Sequence, residues 1–279
     1  MSDWREEGEL RWRRLAPFGA EIDADLSCPL TSAAAEAFRR IFWQSGLVVA
    51  RGQRLSMERQ RELLSLLGPI LLREGENGYL TNESGHAASL AELKFHSDAA
   101  YTDFPFDALS LHAVDVVDGA SSTRFVNAET ACTTLPDALR RVLATHRLAM
   151  ISPHFETLAV RSCDLREPRA MRQGEYPAIF TNPNTARDCI RASEMHTARL
   201  LGMDWEDGRD VLHAVFDHLY APEGVYEHVW HGGDIVVWDN IALQHARGSL
   251  ANAGRRVLQR VIVGVDGVCP HVQADAMNA

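Results

Sequence analysis

No stretch of the 279-residue chain approaches the ~20 consecutive apolar residues of a membrane-spanning helix. The N-terminus has no apolar secretory run either, since Met1 to Leu15 carries Trp4, Arg5, Glu6, Glu7, Arg11, Arg13 and Arg14. The expectation is a cytoplasmic protein with no membrane partner. Cysteine is sparse: Cys28, Cys132, Cys163, Cys189 and Cys269 are scattered, odd in number and never in a CxxC pair. That pattern excludes a disulfide frame and a zinc knuckle. Positive charge is short as well, with 28 Lys and Arg against 38 acids and a formal net charge of -10. Such a balance is the wrong sign for binding by neutralising phosphates, so nucleic acid is excluded as a partner. There is no internal repeat, no low-complexity tract and no Gly- or Pro-rich linker, which leaves a single domain over residues 1–279. After the apolar Leu47 to Ala50 comes Arg51-Gly52-Gln53-Arg54, neither GxGxxG nor GxxxxGK[ST]. A doubly wound nucleotide-binding sheet is therefore disfavoured.

What is present is an ordinary globular composition, 46% hydrophobic and 24% charged. Thr31 and Ser32 offer N-caps to a helix whose Ala35, Phe38, Ile41 and Phe42 share one face, and Gly46 supplies its stop. Leu47 to Ala50 reads as a strand, and Ser56 caps a second helix with Leu63, Leu64 and Leu67 inward before Gly68-Pro69. The opening is thus helix, strand, helix. Residues 73–92 form a polar, Gly-containing loop with a strand-like Tyr79 to Thr81 inside it, and residues 154–176 form a second polar, lid-like stretch. Asp107 to Val117 alternates like a strand, and another strand starts near Arg124. Helices are expected after Pro136 and over Trp205 to Leu219; strands are expected over Asp234 to Trp238 and Val257 to Val265. Strands so far apart in sequence suit a mainly β, α+β architecture: an antiparallel sandwich or jelly roll (double-stranded β-helix) with helices packed outside.

The chemistry starts at Phe95-His96-Ser97-Asp98. On an extended segment residues two apart point the same way, so His96 and Asp98 can reach one ion. His154-Phe155-Glu156 has the same geometry, and spacing alone leaves both pairs open. Far downstream lie Trp238-Asp239-Asn240, His245, Arg256 and Arg260.

With Gly119 to Thr123, Trp230 to His245 and Arg255 to Gly264 added to Leu93 to Pro105, the chain resembles the taurine dioxygenase and 2,4-dichlorophenoxyacetate dioxygenase (TauD/TfdA) family of iron(II), 2-oxoglutarate-dependent oxygenases. Gly19-Ala20-Glu21-Ile22, Gly46 to Val49 before Arg51-Gly52-Gln53, and Leu67-Gly68-Pro69 are similar too, so the likeness covers residues 10–266 and thins only over residues 154–176. It implies that His96, Asp98 and His245 form a two-histidine, one-carboxylate facial triad for Fe(II), leaving positions for 2-oxoglutarate and O2. It implies that Arg256 and Thr123 hold the distal carboxylate of 2-oxoglutarate, where an arginine fork suits a carboxylate better than lysine. Arg260, four residues along the same strand and so on the same face, becomes a contact for an anionic substrate or for the inner carboxylate of 2-oxoglutarate. Arg73 is offered as a second substrate contact.

The implied activity is hydroxylation of a small organic molecule coupled to decarboxylation of 2-oxoglutarate. The alternatives are oxidative tailoring, such as desaturation or cyclisation, by the same chemistry, and a non-catalytic jelly-roll protein whose triad holds a structural metal. The partner expected is a small-molecule substrate, and a homo-oligomer through the N-terminal helices is compatible with the pattern. Taken without the motif, His245 reads as a structural histidine, Thr123 as a strand residue, and Trp43, Trp230 and Trp238 as core. Relatives commonly have an arginine after the Trp-Asp-Asn turn; Ile241 stands there in this chain, which removes a salt bridge expected at that place.

Overall fold

The computed structural model describes residues 3–72, 78–83 and 90–265. Three short antiparallel strands open the chain, β1 (Arg5–Glu7), β2 (Leu10–Arg14) and β3 (Ala20–Asp23), followed by α1 (Ser32–Ser45), β4 (Leu47–Ala50) and α2 (Met57–Ser65). Next come β5 (Gly78–Thr81), β6 (Leu93–His96), β7 (Ala108–Val116) and β8 (Ser122–Asn127), then α3 (Ala128–Thr133) and α4 (Asp137–Thr145). Beyond them lie β9 (Arg147–Pro153), β10 (Ala170–Pro177), β11 (Ile179–Thr181), β12 (Asp188–Ile190), β13 (Thr197–Leu200) and α5 (Trp205–Leu219). The chain finishes with β14 (Val225–Val229), β15 (Ile235–Asp239), β16 (Leu243–Arg247) and β17 (Arg256–Val263).

The major sheet runs β1-β2-β3-β4-β15-β7-β17-β5, and the minor sheet runs β14-β8-β16-β6. Alternation divides the residues of the major sheet between two cores. Leu47, Val49, Leu111, Val236, Trp238, Leu258 and Ile262 face inward and meet Phe125 and Leu243 of the minor sheet and Trp230 just after β14. The alternate residues Val48, Ala50, Ile235, Val237, Val261 and Val263 face outward and are covered by Phe38, Ile41 and Phe42 of α1 and Leu63 and Leu64 of α2. On the far side, Phe95, Val126 and Ala246 back the minor sheet and pack with Leu212, Val215 and Phe216 of α5. This is the jelly roll with outer helices that the strand pattern predicts.

Both N-terminal helices begin where their caps predict, and the first ends at Gly46 as expected, whereas α2 ends at Ser65, ahead of Gly68-Pro69 and with Leu67 beyond the helix. The Thr31 side chain accepts from the Ala34 N–H, and Ser56 does the same for Arg59. Gly46 sits at φ 70°, a left-handed conformation that costs glycine little, and its N–H donates to the Phe42 carbonyl. The structure departs from expectation in two further places. The chain opens with strands ahead of α1, because Leu10 and Trp12 alternate inward while Arg11 pairs with Asp23 and Arg13 with Glu21 across β2 and β3. Nor is the stretch 154–176 one loop: from Ala170 it is β10, laddered to β9. Its exposed polar side chains hid a strand held by backbone bonds. The predicted strand at Tyr79 to Thr81 is present as β5, paired with β17.

A buried amide network fastens α2 to the sheet. Gln60 Nε2 donates to Ser110 Oγ at 2.8 Å and to the Gln259 carbonyl at 3.1 Å, while Gln259 Nε2 donates to Gln60 Oε1 at 2.6 Å. Gln60→Leu strands the Gln259 amide and should cost about 1–3 kcal/mol. Urea unfolding of Gln60→Leu, Gln259→Leu and the double variant checks this: the double variant should recover part of the loss.

Candidate metal centre

Register brings the two candidate histidines together. His245 of β16 is directly opposite His96 of β6, and their ring centroids are 4.3 Å apart. Directly opposed residues share a sheet face, so both rings project into the barrel. Asp98 arrives by a different route from the one the HxD spacing suggests: β6 ends at His96, and Asp98 lies in the following turn, where Ala99 adopts φ 59°. The Trp-Asp-Asn motif holds that turn. Asn240 Oδ1 accepts from the Asp98 N–H at 2.9 Å, and its Nδ2 donates to the carbonyls of Asp98 and Phe106. Ser97 Oγ donates to the Leu243 carbonyl and ties the end of β6 to β16.

The outcome is a cluster in which one ligand atom each of His96, Asp98 and His245 lie within 4.8 Å of one another. Asp98 Oδ1 is 3.2 Å from His96 Nε2 and 3.8 Å from His245 Nε2. His96 Nδ1 donates to the Lys94 carbonyl at 2.7 Å, which orients the ring so that Nε2 is the nitrogen turned toward Asp98. Burial by itself would raise the Asp98 carboxyl, but the His96 hydrogen bond and the charges of His245, His96 and Arg260 hold it well below the usual carboxylate range. Burial, followed by the neighbouring His96, pushes His245 down to about 3, which keeps it neutral at physiological pH. A carboxylate held anionic and two imidazoles converging on one point suit a first-row divalent ion.

The rival His154 and Glu156 stay apart from this cluster. His154 Nδ1 is 3.4 Å from Glu156 Oε2, ahead of and within a short 3-10 turn, and neither residue belongs to a metal-capable group. Among the described residues there is one other such group, Cys163, Asp164 and His213. Burial pushes the Cys163 thiol up to about 12, so it stays protonated and is a poor ligand.

Arg256 and Thr123 lie on the inner faces of opposite sheets, joined by Trp230. Trp230 Nε1 donates to Thr123 Oγ1 at 3.0 Å, and the Arg256 guanidinium carbon is 6.0 Å from the Trp230 ring. Arg256 is 5% exposed, its Nε has no acceptor, and burial together with nearby Arg247 pulls it down to about 9. Arg255 points the other way, to Asp115 and Glu83, as alternation predicts. Arg260 lines the cavity with His96 and Asp98, and its Nη1 is 3.9 Å from Asp98 Oδ2. Glu92 pairs with Lys94. Arg73 lies outside the described residues. The cavity, about 610 Å³, is lined by His96, Asp98 and Arg260 but not by Thr123, Arg256 or His245.

Three residues escaped the sequence reading. His196 is buried with its ring edge-on to His96, 5.6 Å between centroids, and Nδ1 on the Ile151 carbonyl; no motif flags it. Arg247, two residues after His245, could have been found by alternation. Arg172, on the lining, stands in the stretch with no motif. With Ile241 after the turn, Asp239 meets no cation among the described residues: its carboxylate accepts from the Ile241 and Ala242 N–H groups and from Asn182 Nδ2, and burial pushes it up to about 6.

A jelly roll holding two histidines and one carboxylate inside its barrel defines a class of non-haem metal protein. A profile described as "Taurine catabolism dioxygenase TauD, TfdA family" matches residues 11–262, and the chain belongs to that family. It is 27% identical over 182 residues to pentalenolactone F synthase of Streptomyces arenae, a match spanning 61% of this chain and 61% of that relative, less than two thirds of its length. It is 25% identical to the α-ketoglutarate-dependent 2,4-dichlorophenoxyacetate dioxygenase of Cupriavidus pinatubonensis, over 88% of this chain and 94% of the relative. The fold is also similar to that of AAD-2, solved with Mn(II) and N-oxalylglycine, with TM-score 0.77, 20% identity and coverage of 94% and 99%. No helix among the described residues is long and apolar enough to cross a membrane.

Two outcomes are expected. Alanine at His96, Asp98 or His245 should abolish tight Fe(II) binding in anaerobic titration, whereas His154→Ala should not. In metal-free protein, His245 and His196 titrate near 3 in the fold, His196 chiefly through burial, against about 6.5 when unfolded. Between those values the unfolded chain binds more protons, so stability is full above about pH 6.5 and falls on acidification by up to about 1.4 kcal/mol per pH unit for each histidine. Urea midpoints against pH with EDTA present measure this, and His196→Gln should flatten the slope.

Proposed function

We propose that the chain is an Fe(II)- and 2-oxoglutarate-dependent oxygenase that hydroxylates a small organic substrate. The observation that carries this reading is a two-histidine, one-carboxylate cluster in the same barrel as a buried Arg256 that has no protein carboxylate among the described residues. Iron bound there supplies the activation of O2 that couples decarboxylation of 2-oxoglutarate, giving succinate and carbon dioxide, to oxidation of a substrate C–H bond. His96, Asp98 and His245 hold the ion from one side. Arg256 takes the distal carboxylate of 2-oxoglutarate, which relieves an otherwise uncompensated buried charge. Because Trp230 already donates to Thr123 Oγ1, the threonine hydroxyl proton is free to donate to that carboxylate. Arg260, near Asp98, orients whichever anion approaches the metal. No side chain has to serve as a general base.

The likeness to pentalenolactone F synthase supports a second reading, oxidative tailoring of a biosynthetic intermediate by the same chemistry. The free thiols Cys28, Cys132, Cys163 and Cys189 support action in the reducing cytoplasm.

Supplied with Fe(II), 2-oxoglutarate and O2, the protein should release succinate, and EDTA should stop it; a non-catalytic metal protein would release none. Arg256→Gln should weaken 2-oxoglutarate binding to the Mn(II)-loaded protein by about 2–5 kcal/mol in calorimetry, the range for truncating one member of a buried charge pair. An unchanged dissociation constant would remove Arg256 from this role.

A further inference from the structure

Asn240 holds Asp98, and the turn from which Asn240 projects has a support of its own. That turn carries Asp239, 1% exposed, whose Oδ1 accepts from the Ile241 and Ala242 N–H groups. Its Oδ2 accepts at 3.3 Å from Nδ2 of Asn182, a fully buried residue in the loop between β11 and β12. The same Nδ2 donates to Glu129 Oε1 at 2.8 Å, so one amide spans two buried carboxylates. Asn182 Oδ1 accepts from the Asn184 N–H at 2.9 Å, which turns the amino group toward both acids. Glu129, 2% exposed in the first turn of α3, also accepts from the Thr185 hydroxyl. Arg187 ends the chain, with Nε and Nη2 each 2.6 Å from Glu129 Oε2.

Asn182, Thr185 and Arg187 leave one tight loop. Its Asn182 N–H donates to the Arg187 carbonyl and its Ala186 N–H to the Asn182 carbonyl, both at 2.8 Å, while Ala186 takes φ 57°. The start of α3 touches the turn directly, the Ala128 N–H donating to the Ala242 carbonyl at 2.9 Å. Two buried carboxylates weaken a fold unless charge or hydrogen bonds compensate them. Glu129 has the Arg187 guanidinium, whose side chain is 49% exposed, whereas Asp239 relies on the Asn182 amide and two backbone N–H groups. What this arrangement secures is orientation. Hydrogen bonds run from Arg187 through Glu129, Asn182 and Asp239 to the turn whose Asn240 fixes the Asp98 backbone. None of Arg187, Glu129, Asn182 and Asp239 lines the cavity, so substrate contact does not account for them.

We propose that Arg187, Glu129 and Asn182 are positioning residues for the metal centre, which fix the Asp239-Asn240 turn and through it the carboxylate of Asp98. The inference rests on the reading that His96, Asp98 and His245 hold a divalent ion. It goes beyond that reading by giving the loop between β11 and β12 a share in metal affinity, since partners behind the ligands set how well the ligands fit the ion.

The test is Co(II) binding by calorimetry and by the visible absorption of the bound ion, which reports ligand geometry, alongside thermal unfolding of metal-free protein. Asn182→Leu should weaken Co(II) binding about tenfold or more, and Arg187→Met by about threefold to tenfold, both with an altered absorption. Removing a positive charge would by Coulomb attraction alone tighten binding of a dication, so weaker binding has the sign of lost positioning. Arg187→Lys should recover most of the affinity. The double variant should bind little worse than Asn182→Leu, because both changes act along one chain. Amide hydrogen exchange over residues 239–243 and 97–106 should quicken in both single variants and stay as in the wild type over β2. Arg187 is half-exposed, so its series decides the matter even where Asn182→Leu fails to fold. Unchanged or tighter Co(II) binding in Arg187→Met, whatever its thermal stability, would overturn the proposal, as would an Arg187→Lys protein no better than Arg187→Met or additive losses in the double variant. A wild-type protein that takes up no Co(II) would overturn the metal reading itself, and the positioning role with it.

Discussion

The arrangement around the candidate metal centre depends on one side-chain amide, that of Asn240. Asp98 is not on a strand, so no ladder fixes it; its backbone is held on both sides by Asn240, from the turn that joins β15 to β16. The same amide reaches the Phe106 carbonyl and so ties the loop after Asp98 to the entry of β7. Asp239 closes the turn from which Asn240 projects, accepting from the Ile241 and Ala242 N–H groups. A carboxylate placed by two backbone hydrogen bonds can approach two histidines without a strand of its own. The Trp-Asp-Asn motif thus acts on the centre while contributing no ligand to it.

Charge inside the barrel follows a second logic. The molecule is acidic overall, yet arginines face inward from both sheets: Arg256 and Arg260 from β17, Arg247 from β16. Burial pulls Arg247 down to about 10 and Arg256 to about 9, and each weakens the fold while nothing anionic is bound. Stability is conceded at such positions in exchange for recognition.

Much of the site was legible because strand periodicity converts spacing into sidedness. Arg256 and Arg260 sit four apart and share a face; Arg255 falls on the other and meets Asp115 and Glu83. Thr123 and His245 obey the same rule in the minor sheet. Legibility failed where backbone bonds, not side-chain pattern, made the structure. β10 carries Arg, Gln, Gly and Glu in succession and looks like a loop, yet it is a full partner of β9. β2 was hidden because charged residues flank its two inward side chains, Leu10 and Trp12.

From the amino-acid order alone came the capped starts of α1 and α2, the shared face of Arg256 and Arg260 and the sandwich architecture, since each rests on local periodicity or local capping, while the candidate triad came from the family resemblance. The tertiary structure decided what depends on contacts between distant segments. It opposed His245 to His96 across 149 residues, kept His154 and Glu156 out of the cluster, and set Asp98 by an amide 142 residues away. It brought His196 against His96 and aimed Arg172 into the cavity through a bulge, neither of which any spacing foretells. Register and bulges are properties of a pair of strands, and one strand's sequence does not contain its partner.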